Sequence, residues 1–472
     1  MAWKSTVCGV LRHPERPAVL LMRSDRRWGL PRSVVAGDLW AGSADRAVEI
    51  IGKRLGLSVW VHRCLYAADD PARERIDLVF ETVAIDPSAA LPANGRWVDR
   101  AALDEVPLSD EGRRGLLERY LDRLESGVVP PQRPPWCGPG WLDEVRPWIE
   151  ANVRPHPVVG LDQIKQWSIS AVLRVRTSGP TFYFKVSADL PLFVDEGAVS
   201  NRLASLFDGF VLAPLAVEAA RGWMLFPDLG DIEHDRPIEA KEKAFRRLAE
   251  LHLQSIPLTN QLLTAGCLDR RLDVLASQMD DLLGDRRIMG RLEEKDRRLL
   301  RRNKGTLRDR CAELEALGIP DTLVHGDFHM GNVGGTDDQM MFDWTDACVA
   351  HPFFDLHSLA WESRENADRL RAAYLEAWEG FVGAVDVDRA LELSRLLMPL
   401  HHAVSYKAIA DSLEPEIRPE LDFAHAFLRS LAKDLREMGR LHRIERADLG
   451  GVEDGGATEL AVGQTGGDLG TA

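Results

Sequence analysis

The chain has 472 residues, more than one folded domain usually holds, so two or three units are expected. Its composition, with 45% hydrophobic and 28% charged residues, is ordinary for a globular protein, and its formal net charge of −15 argues against a nucleic-acid binder, which needs a basic face for phosphates. The six cysteines lack C-x-x-C spacing and no apolar run could span a bilayer, which predicts a cytoplasmic protein with reduced thiols and no membrane partner.

Residues 1–127 are predicted to form an N-terminal unit in which strands alternate with helices. Short apolar runs on either side of a Pro-rich turn predict a hairpin, and apolar residues at helical spacing predict a helix that Gly56 ends. The expected elements are hairpin strands over 7–11 and 18–22, a helix over 44–55, a strand over 76–84 and a helix over 112–124.

Three short motifs in this unit are Trp28-Gly29-Leu30-Pro31, Leu55-Gly56-Leu57 and Arg96-Trp97-Val98-Asp99, and with them it resembles a Nudix domain. A Nudix hydrolase holds its metals on a Glu-rich helix, but the resemblance assigns those positions to Glu49-Ile50 and Lys53-Arg54. A basic pair cannot bind Mg²⁺, which prefers anionic oxygen ligands. We therefore expect a Nudix-like fold without the hydrolase glutamates, with an unrelated small α/β domain as the alternative. Ligand sensing, packing against the next unit and homodimer formation remain open as its role.

A Pro- and Gly-rich linker over 128–140 separates this unit from a second one. The second unit is predicted to begin with a strand-rich lobe over 141–230. Its expected elements are a helix over 142–151, strands over 163–176 and 181–186, and a later strand that begins at Trp223. The strand over 181–186 carries Lys185 in an otherwise apolar run, and Glu196 opens the following helix next to Asp195.

The most informative stretch runs from His325 to Asn332 and is followed by Met341-Phe342-Asp343-Trp344. Transfer of a phosphoryl group from MgATP needs a carboxylate to accept the proton of the attacking hydroxyl, and an amide oxygen with a second carboxylate to hold the metal. Asp327 and Asn332 have the D-x-x-x-x-N spacing of a kinase catalytic loop, and Asp343 ends a short apolar strand. The two motifs resemble those of the aminoglycoside phosphotransferase and choline kinase-like branch of the protein kinase-like fold.

The resemblance implies a role for each motif residue. Asp327 is the expected catalytic base, Asn332 and Asp343 are the expected Mg²⁺ ligands, and His325 and Asp355 are expected to support the loop. Lys185 is expected to neutralise the ATP phosphates and Glu196 to pair with it, although Asp195 is a competitor for that role. The remaining candidates for nucleotide binding are Ser168 and Ser170 in a loop between strands and Phe226 on a hinge strand.

Residues 231–446 are predicted to form a helical lobe, with helices over 238–255, 268–283 and 291–317, and residues 447–472 a disordered tail. Glu362 and Glu365 are candidates for binding a small acceptor, since an acidic protein suits a cationic one. His401, His402 and Tyr406 could line the acceptor cleft, but core packing is favoured for them.

Together these features predict an α/β and α+β multidomain protein, in which a Nudix-like domain precedes a two-lobed protein kinase-like domain. The predicted activity is transfer of the γ-phosphate of ATP, with Mg²⁺, to a hydroxyl of a small molecule. Three alternatives remain: a choline-, homoserine- or sugar-type kinase, a non-catalytic nucleotide-binding regulator on the same fold, and a Nudix-type pyrophosphohydrolase. The intact Asp327, Asn332 and Asp343 disfavour the second alternative, and Lys53-Arg54 disfavours the third.

Overall fold

The computed structural model describes residues 3–230, 232, 235–335, 339–380, 386–418 and 421–450. Its strands are β1 Lys4–Leu11, β2 Ala18–Ser24, β3 Arg27–Gly29, β4 Arg32–Ala36, β5 Val59–Asp70, β6 Arg75–Ala84, β7 Gly95–Asp99, β8 Val158–Gln166, β9 Ser170–Thr177, β10 Phe182–Ser187, β11 Ala216–Glu218, β12 Trp223–Pro227, β13 Leu268–Asp269, β14 Thr322–Val324, β15 Val333–Gly334, β16 Met340–Met341 and β17 Cys348–Ala350. The helices are α1 Ala44–Leu55, α2 Arg100–Leu103, α3 Arg114–Ser126, α4 Trp141–Asn152, α5 Glu196–Leu206, α6 Ile238–Ser255, α7 Thr259–Thr264, α8 Leu272–Gly284, α9 Arg286–Gly290, α10 Glu294–Arg302, α11 Lys304–Ala316, α12 Arg364–Glu376, α13 Val387–Ser412 and α14 Ala424–Gly450.

The N-terminal unit contains two small sheets, with strand orders β4-β1-β6-β5 and β3-β2-β7. Side chains alternate along β1, so that Val7 joins one apolar cluster while Val10 joins another. Helix α1 crosses the sheet at Gly9, where an added Cβ would lie 2.7 Å from Cγ2 of Ile51. The absence of a side chain at Gly9 therefore allows the helix to pack closely on the strand.

The hairpin predicted from strands over 7–11 and 18–22 is wrong. β1 pairs with β4 on one edge and with β6 on the other, along its whole length on the β6 side. β2 pairs instead with β3 and β7 in the second sheet. Only an isolated bridge between Arg12 and Val19 joins the end of β1 to β2. The chain does reverse its direction between β1 and β2, as predicted. However, β4 and β6, which come later in the chain, occupy the two edges of β1.

The strand-rich lobe of the second unit is a five-stranded antiparallel sheet with the order β11-β12-β10-β9-β8. The strand predicted over 163–176 is interrupted, because residues 167–169 form a loop between β8 and β9. Helix α4 covers one face, where the rings of Trp141 and Trp148 each lie 5.9 Å from that of Phe184. Lys185 follows Phe184 and, because side chains alternate, points to the other face of β10.

The rest of the second unit is mainly helical. Its short strands form two small sheets, with strand orders β13-β17-β14 and β15-β16. The predicted helix over 238–255 coincides with α6. The single helix predicted over 291–317 is two helices, α10 and α11, which meet at Asn303. Helix α14 extends to Gly450 and so includes 447–450 of the predicted tail, whose other residues lie outside the described ranges. Within those ranges no helix is long and apolar enough to cross a bilayer.

The N-terminal unit is joined to both lobes of the second unit. The side-chain amide of Gln163 accepts a hydrogen bond from the backbone N–H of Val61 at 2.8 Å and donates one to the backbone oxygen of Val61 at 2.7 Å. On the other side Glu414, which follows α13, accepts hydrogen bonds of 2.8 and 3.0 Å from Arg133 of the linker. Arg63 of β5 contacts the same carboxylate at 3.5 Å. These buried polar contacts tie one surface of the N-terminal unit to the sheet lobe and to the helical lobe together.

Candidate active site

Lys185 lies at the centre of a group of charged side chains between the two lobes. Its Nζ donates to Glu196 Oε1 and to Asp343 Oδ1, each at 2.6 Å. Burial would lower the pKa of Lys185, but Asp343 and Glu196 outweigh burial and hold it above its usual value. Asp195 does not compete for this lysine, because its carboxylate caps α5 by accepting from the backbone N–H of Ala198. The structure thus brings three residues together that are up to 158 positions apart in the sequence.

Asp327 and Asn332 belong to a single loop that leads from β14 towards β15. Asn332 Nδ2 donates to the backbone oxygen of Asp327 at 2.9 Å, which leaves the amide oxygen available to a cation. The Phe342 N–H donates to the backbone oxygen of Asn332 at 3.0 Å, so this loop and the segment that carries Asp343 are held side by side. Asp343 itself has a φ of +66°, a left-handed conformation that Asp tolerates better than most residues.

Asp355 holds the start of the loop that carries Asp327 and Asn332. Its two carboxylate oxygens accept from the backbone N–H groups of His325 and Gly326 at 2.7 and 2.8 Å. His252 Nε2 lies 3.1 Å from the same carboxylate, and His325 Nε2 lies 2.9 Å from the backbone oxygen of Phe342. His325 and Asp355 are therefore placed to support the loop, as the sequence predicts, and neither reaches the cleft through its functional group.

The environment of Asp327 favours the ionised carboxylate. Half of its side chain is exposed to the cleft, and its two oxygens lie 3.6 Å from His329 Nε2 and 3.8 Å from His357 Nε2. Burial would raise the pKa of Asp327, but the nearby imidazole of His329 and, to a smaller extent, that of His357 hold it well below its usual value. The group is thus a charged acceptor that can orient a hydroxyl and take up its proton during a displacement.

The other nucleotide-binding candidates are divided between two cavities. Ser170 and Phe226 line the cleft that contains Lys185 and Asp343. Ser168 lines a neighbouring cavity with Pro135 and Ser187, and Ser187 also borders the cleft, so a contact of Ser168 with nucleotide stays a prediction.

The acceptor candidates Glu362 and Glu365 are not in the cavity beside Asp327. Glu362 forms an ion pair of 2.6 Å with Lys241 and lines a smaller neighbouring cavity, and Glu365 is exposed in the first turn of α12. The helical spacing does not reveal that Lys241 on α6 neutralises Glu362. Asp327 borders two adjoining cavities, one of about 1070 Å³ that also contains Asn332 and one of about 420 Å³. The further lining side chains of the smaller cavity include Phe193, Met398, His402, Tyr406, Ile409, Leu421 and Phe427.

Sequence reasoning missed several polar residues of this cavity. His357 and Asp346 line it, and burial together with the negative charge of Asp327 raises the pKa of Asp346 to about 8. Lys165, at the end of β8, lines the cleft with Lys185. None of these three has a characteristic spacing to another site residue, so only the fold reveals them.

The residues of the cleft fit bound MgATP. Asp343 and Asn332 offer one carboxylate and one amide oxygen, and Lys185 offers an ammonium group for phosphate oxygens. Among the described residues no cluster of three or more His, Cys, Asp or Glu side chains is placed to hold a metal ion. Mg²⁺ does not require such a cluster, because it usually binds one or two protein oxygens together with substrate phosphates and water.

Comparison with known proteins agrees with this geometry. Residues 165–393 match the phosphotransferase enzyme family APH. The matched APH region contains the lysine, the catalytic loop and the Asp343 segment, and it supports a small-molecule phosphotransferase. The structure confirms the predicted mixed α/β fold class, with a strand-rich lobe followed by a helical lobe in the second unit. No curated protein matches the sequence at a significant level.

Several solved structures show weaker likeness. A macrolide 2'-phosphotransferase from Brachybacterium faecium is 17% identical, with 57% of this chain and 90% of that chain covered and a TM-score of 0.37. A choline/ethanolamine kinase family protein from Mesorhizobium loti is 17% identical, with 62% and 99% covered and a TM-score of 0.42. A protein described as an oxidoreductase from Sinorhizobium meliloti is 22% identical, with 27% of this chain and 41% of that chain covered and a TM-score of 0.22. This chain therefore spans less than half of the last protein.

Proposed function

We propose that the protein transfers the γ-phosphate of ATP, with Mg²⁺, to a hydroxyl group of a small molecule. The observation that carries the proposal is the convergence of Lys185 and Asp343 at 2.6 Å beside the loop that holds Asp327 and Asn332. These are the charges that phosphoryl transfer needs: a cation for the phosphates, oxygen ligands for the metal and a base for the hydroxyl.

Each residue has a part in the proposed reaction. The acceptor oxygen forms a bond to the γ-phosphorus while the bond to the bridging oxygen of ADP breaks, and the hydroxyl proton passes to Asp327. Lys185 neutralises phosphate oxygens, and Asn332 and Asp343 would hold the metal. Bound Mg²⁺ would supply charge neutralisation to the phosphate groups. Since little covalent chemistry falls to the protein, positioning and electrostatics provide most of the rate.

The cavity beside Asp327 favours an acceptor with a large apolar part. Of the residues around it, Phe193, Met398, Tyr406 and Phe427 provide apolar or aromatic surface. Apolar atoms form the larger part of its surface, but its charged side chains include Asp346 and Asp434 as well as Arg395. A hydroxyl compound with a hydrophobic body therefore suits the cavity, and the aspartates leave room for a positive charge on the same compound. No nucleic-acid partner and a cytoplasmic location form part of the same proposal.

We also keep the domain division 1–127, 128–140, 141–230, 231–446 and 447–472 and the Nudix-like nature of the first unit as proposals. The contacts of Gln163 and Glu414 with the first unit and the linker support packing as its role rather than dimerisation. A Nudix-type metal site gains no support, because Lys53 and Arg54 are exposed in the last turn of α1.

The test is transfer of radiolabelled γ-phosphate from ATP to a panel of hydroxyl compounds, with and without Mg²⁺. The panel pairs apolar-bodied alcohols with aminoglycosides, amino alcohols and sugars. We expect Mg²⁺-dependent labelling that is strongest among the apolar-bodied compounds. Labelling of polycations alone would refute the acceptor class, and no Mg²⁺-dependent loss of γ-phosphate with any compound would refute the activity.

A further inference from the structure

A loop of the N-terminal unit reaches the nucleotide cleft of the second unit. The backbone N–H of Gln166 donates to the Gly42 oxygen at 3.1 Å, and Ser43 forms an antiparallel bridge with Lys165. The loop of residues 40–43 is thus attached to the end of β8, immediately before the loop of residues 167–169, which lines the cleft. Trp40 and Arg46 of the N-terminal unit line the same cavity as Lys185 and Asp343, with a volume of about 1070 Å³.

Two tryptophans, one from each unit, enclose the side chain of Lys165. The rings of Trp40 and Trp167 are 4.7 Å apart and nearly perpendicular. Lys165 Nζ lies 4.6 Å from the Trp167 ring centroid and 5.6 Å from that of Trp40. Both distances are within the range of cation–π attraction. The lysine is therefore held in one position by aromatic surfaces and not by a carboxylate.

Gly42 is needed for this arrangement. A Cβ at Gly42 would stand 2.1 Å from Cη2 of Trp40, so the indole lies directly on the glycine backbone. The Gly42 backbone is not in the left-handed region, so an alanine there would displace the ring without straining the chain. Trp40 is itself 44% exposed, so its removal should not unfold the N-terminal unit.

Lys165 is a cation in the cleft that is not matched by an ion pair. In the described part of the chain no carboxylate oxygen lies within ion-pair distance of its Nζ. Burial lowers the pKa of Lys165, while Asp343, the strongest of the opposing charges, raises it. The side chain of Lys165 is half-buried beside the cleft, and an anion bound there would supply its ammonium group with a charged partner.

Building on the proposed function, we propose that Lys165 is a second phosphate-binding cation and that Trp40 of the N-terminal unit positions it. Lys185 already shares its charge between Glu196 and Asp343, whereas Lys165 has its charge available for a phosphate oxygen. The N-terminal unit is then a part of the nucleotide site, and affinity for phosphate depends on a side chain that lies outside the APH region.

The experiment measures nucleotide binding directly, by calorimetric titration of the full chain with ATP and with adenosine in the presence of Mg²⁺. It needs no acceptor, so its outcome is separate from the transfer reaction. The variants are Lys165→Met, Lys165→Arg, Trp40→Ala, Gly42→Ala and the double variant Lys165→Met/Trp40→Ala. Two controls match them: Lys53→Met removes an exposed lysine of the N-terminal unit, and Tyr66→Ala removes an exposed aromatic that lies 4.5 Å from Arg113.

We expect Lys165→Met to weaken ATP binding roughly ten- to hundredfold, as for a lost hydrogen bond to a charged group, with unchanged affinity for adenosine. Lys165→Arg should restore most of the affinity for ATP. Trp40→Ala and Gly42→Ala should weaken ATP binding by about three- to tenfold, in line with a cation–π contact. In the Lys165→Met background Trp40→Ala should have no further effect, since it acts through the lysine.

Several outcomes would overturn the inference. Wild-type affinity for ATP in Lys165→Met would show that the lysine does not bind phosphate. Equal losses for ATP and adenosine would assign it a structural role. A Trp40→Ala effect of the same size with and without Lys165 would show that Trp40 does not act through the lysine. Failure of the wild-type protein to bind ATP would reject both this inference and the proposed function, whereas the first three results leave the proposed function intact.

Discussion

The buried carboxylate of Glu414 provides a quantitative test of how the N-terminal unit is attached. Its side chain is 3% exposed, and those of its partners Arg133, Arg63 and Arg123 are 11%, 2% and 19% exposed. Removing one member of a buried ion pair costs about 3–5 kcal/mol, because the other charge is left without compensation. Arg63 keeps a second partner, Glu81 at 2.7 Å, so we expect Glu414→Ala to lose about 3 kcal/mol of unfolding free energy, near the lower limit of that range.

The assay is equilibrium unfolding in urea, followed by tryptophan fluorescence and by proteolysis within the linker over 128–140. Glu416→Ala is the matched control, because Glu416 is 50% exposed and its ion pair with Arg123 should contribute less than about 1 kcal/mol. We expect Glu414→Ala, unlike the control, to lower the urea midpoint and to make the linker easier to cleave. A Glu414→Ala protein as stable as the control variant would refute the view that this carboxylate joins the units.

Two further predictions concern single carboxylates. Asp355→Ala should destabilise the protein by about 2–4 kcal/mol and reduce phosphate transfer, because the N–H groups of His325 and Gly326 lose their acceptor. Asp355→Asn keeps one acceptor oxygen. It should therefore lose less stability in thermal melts and less activity in transfer assays. Burial raises the pKa of Asp321 to about 6, so the folded protein binds a proton more tightly than the unfolded chain and loses stability as the pH rises from about 4 through 6. Asp321→Asn should therefore raise the melting temperature at pH 7.5 and not at pH 4, with the exposed Asp309→Asn as the control.

Each of these two predictions has an outcome that would refute it. Equal activity and equal stability of Asp355→Ala and wild type would mean that the catalytic loop does not depend on this brace. A gain in melting temperature for Asp321→Asn that is the same at both pH values would show that proton uptake by Asp321 is not the cause.

The central motif could be predicted because its residues are close in sequence and have defined spacing. Asp327, Asn332 and Asp343 lie within one stretch, and the structure brings Lys185 to Asp343 from the other lobe, as the kinase-like resemblance implies. The choice between Glu196 and Asp195 needed the fold, because only the helix geometry shows that Asp195 caps α5.

Features that depend on contacts between distant segments could not be predicted. The partners of β1 arrive from elsewhere in the chain, so the local hairpin pattern was misleading. Glu362 carries a carboxylate that could bind a cationic acceptor, but the ammonium group of Lys241 on α6 neutralises its charge. The proposed role of Lys165 depends on its contact with Trp40, a residue of the other unit, and no sequence periodicity links the two residues. Interactions across the fold, rather than local propensity, decide such cases.

The most direct test of the proposed site compares phosphate transfer and nucleotide binding in Asp327→Ala. The acceptor is the compound that labels best with the wild-type protein, and ATP affinity is measured on the same preparations. We expect transfer to fall roughly a hundred- to ten-thousandfold, as for loss of a general base, while the dissociation constant for ATP changes by less than about threefold. Near-normal transfer by Asp327→Ala would contradict the assignment of Asp327 as the base and, with it, the proposed reaction.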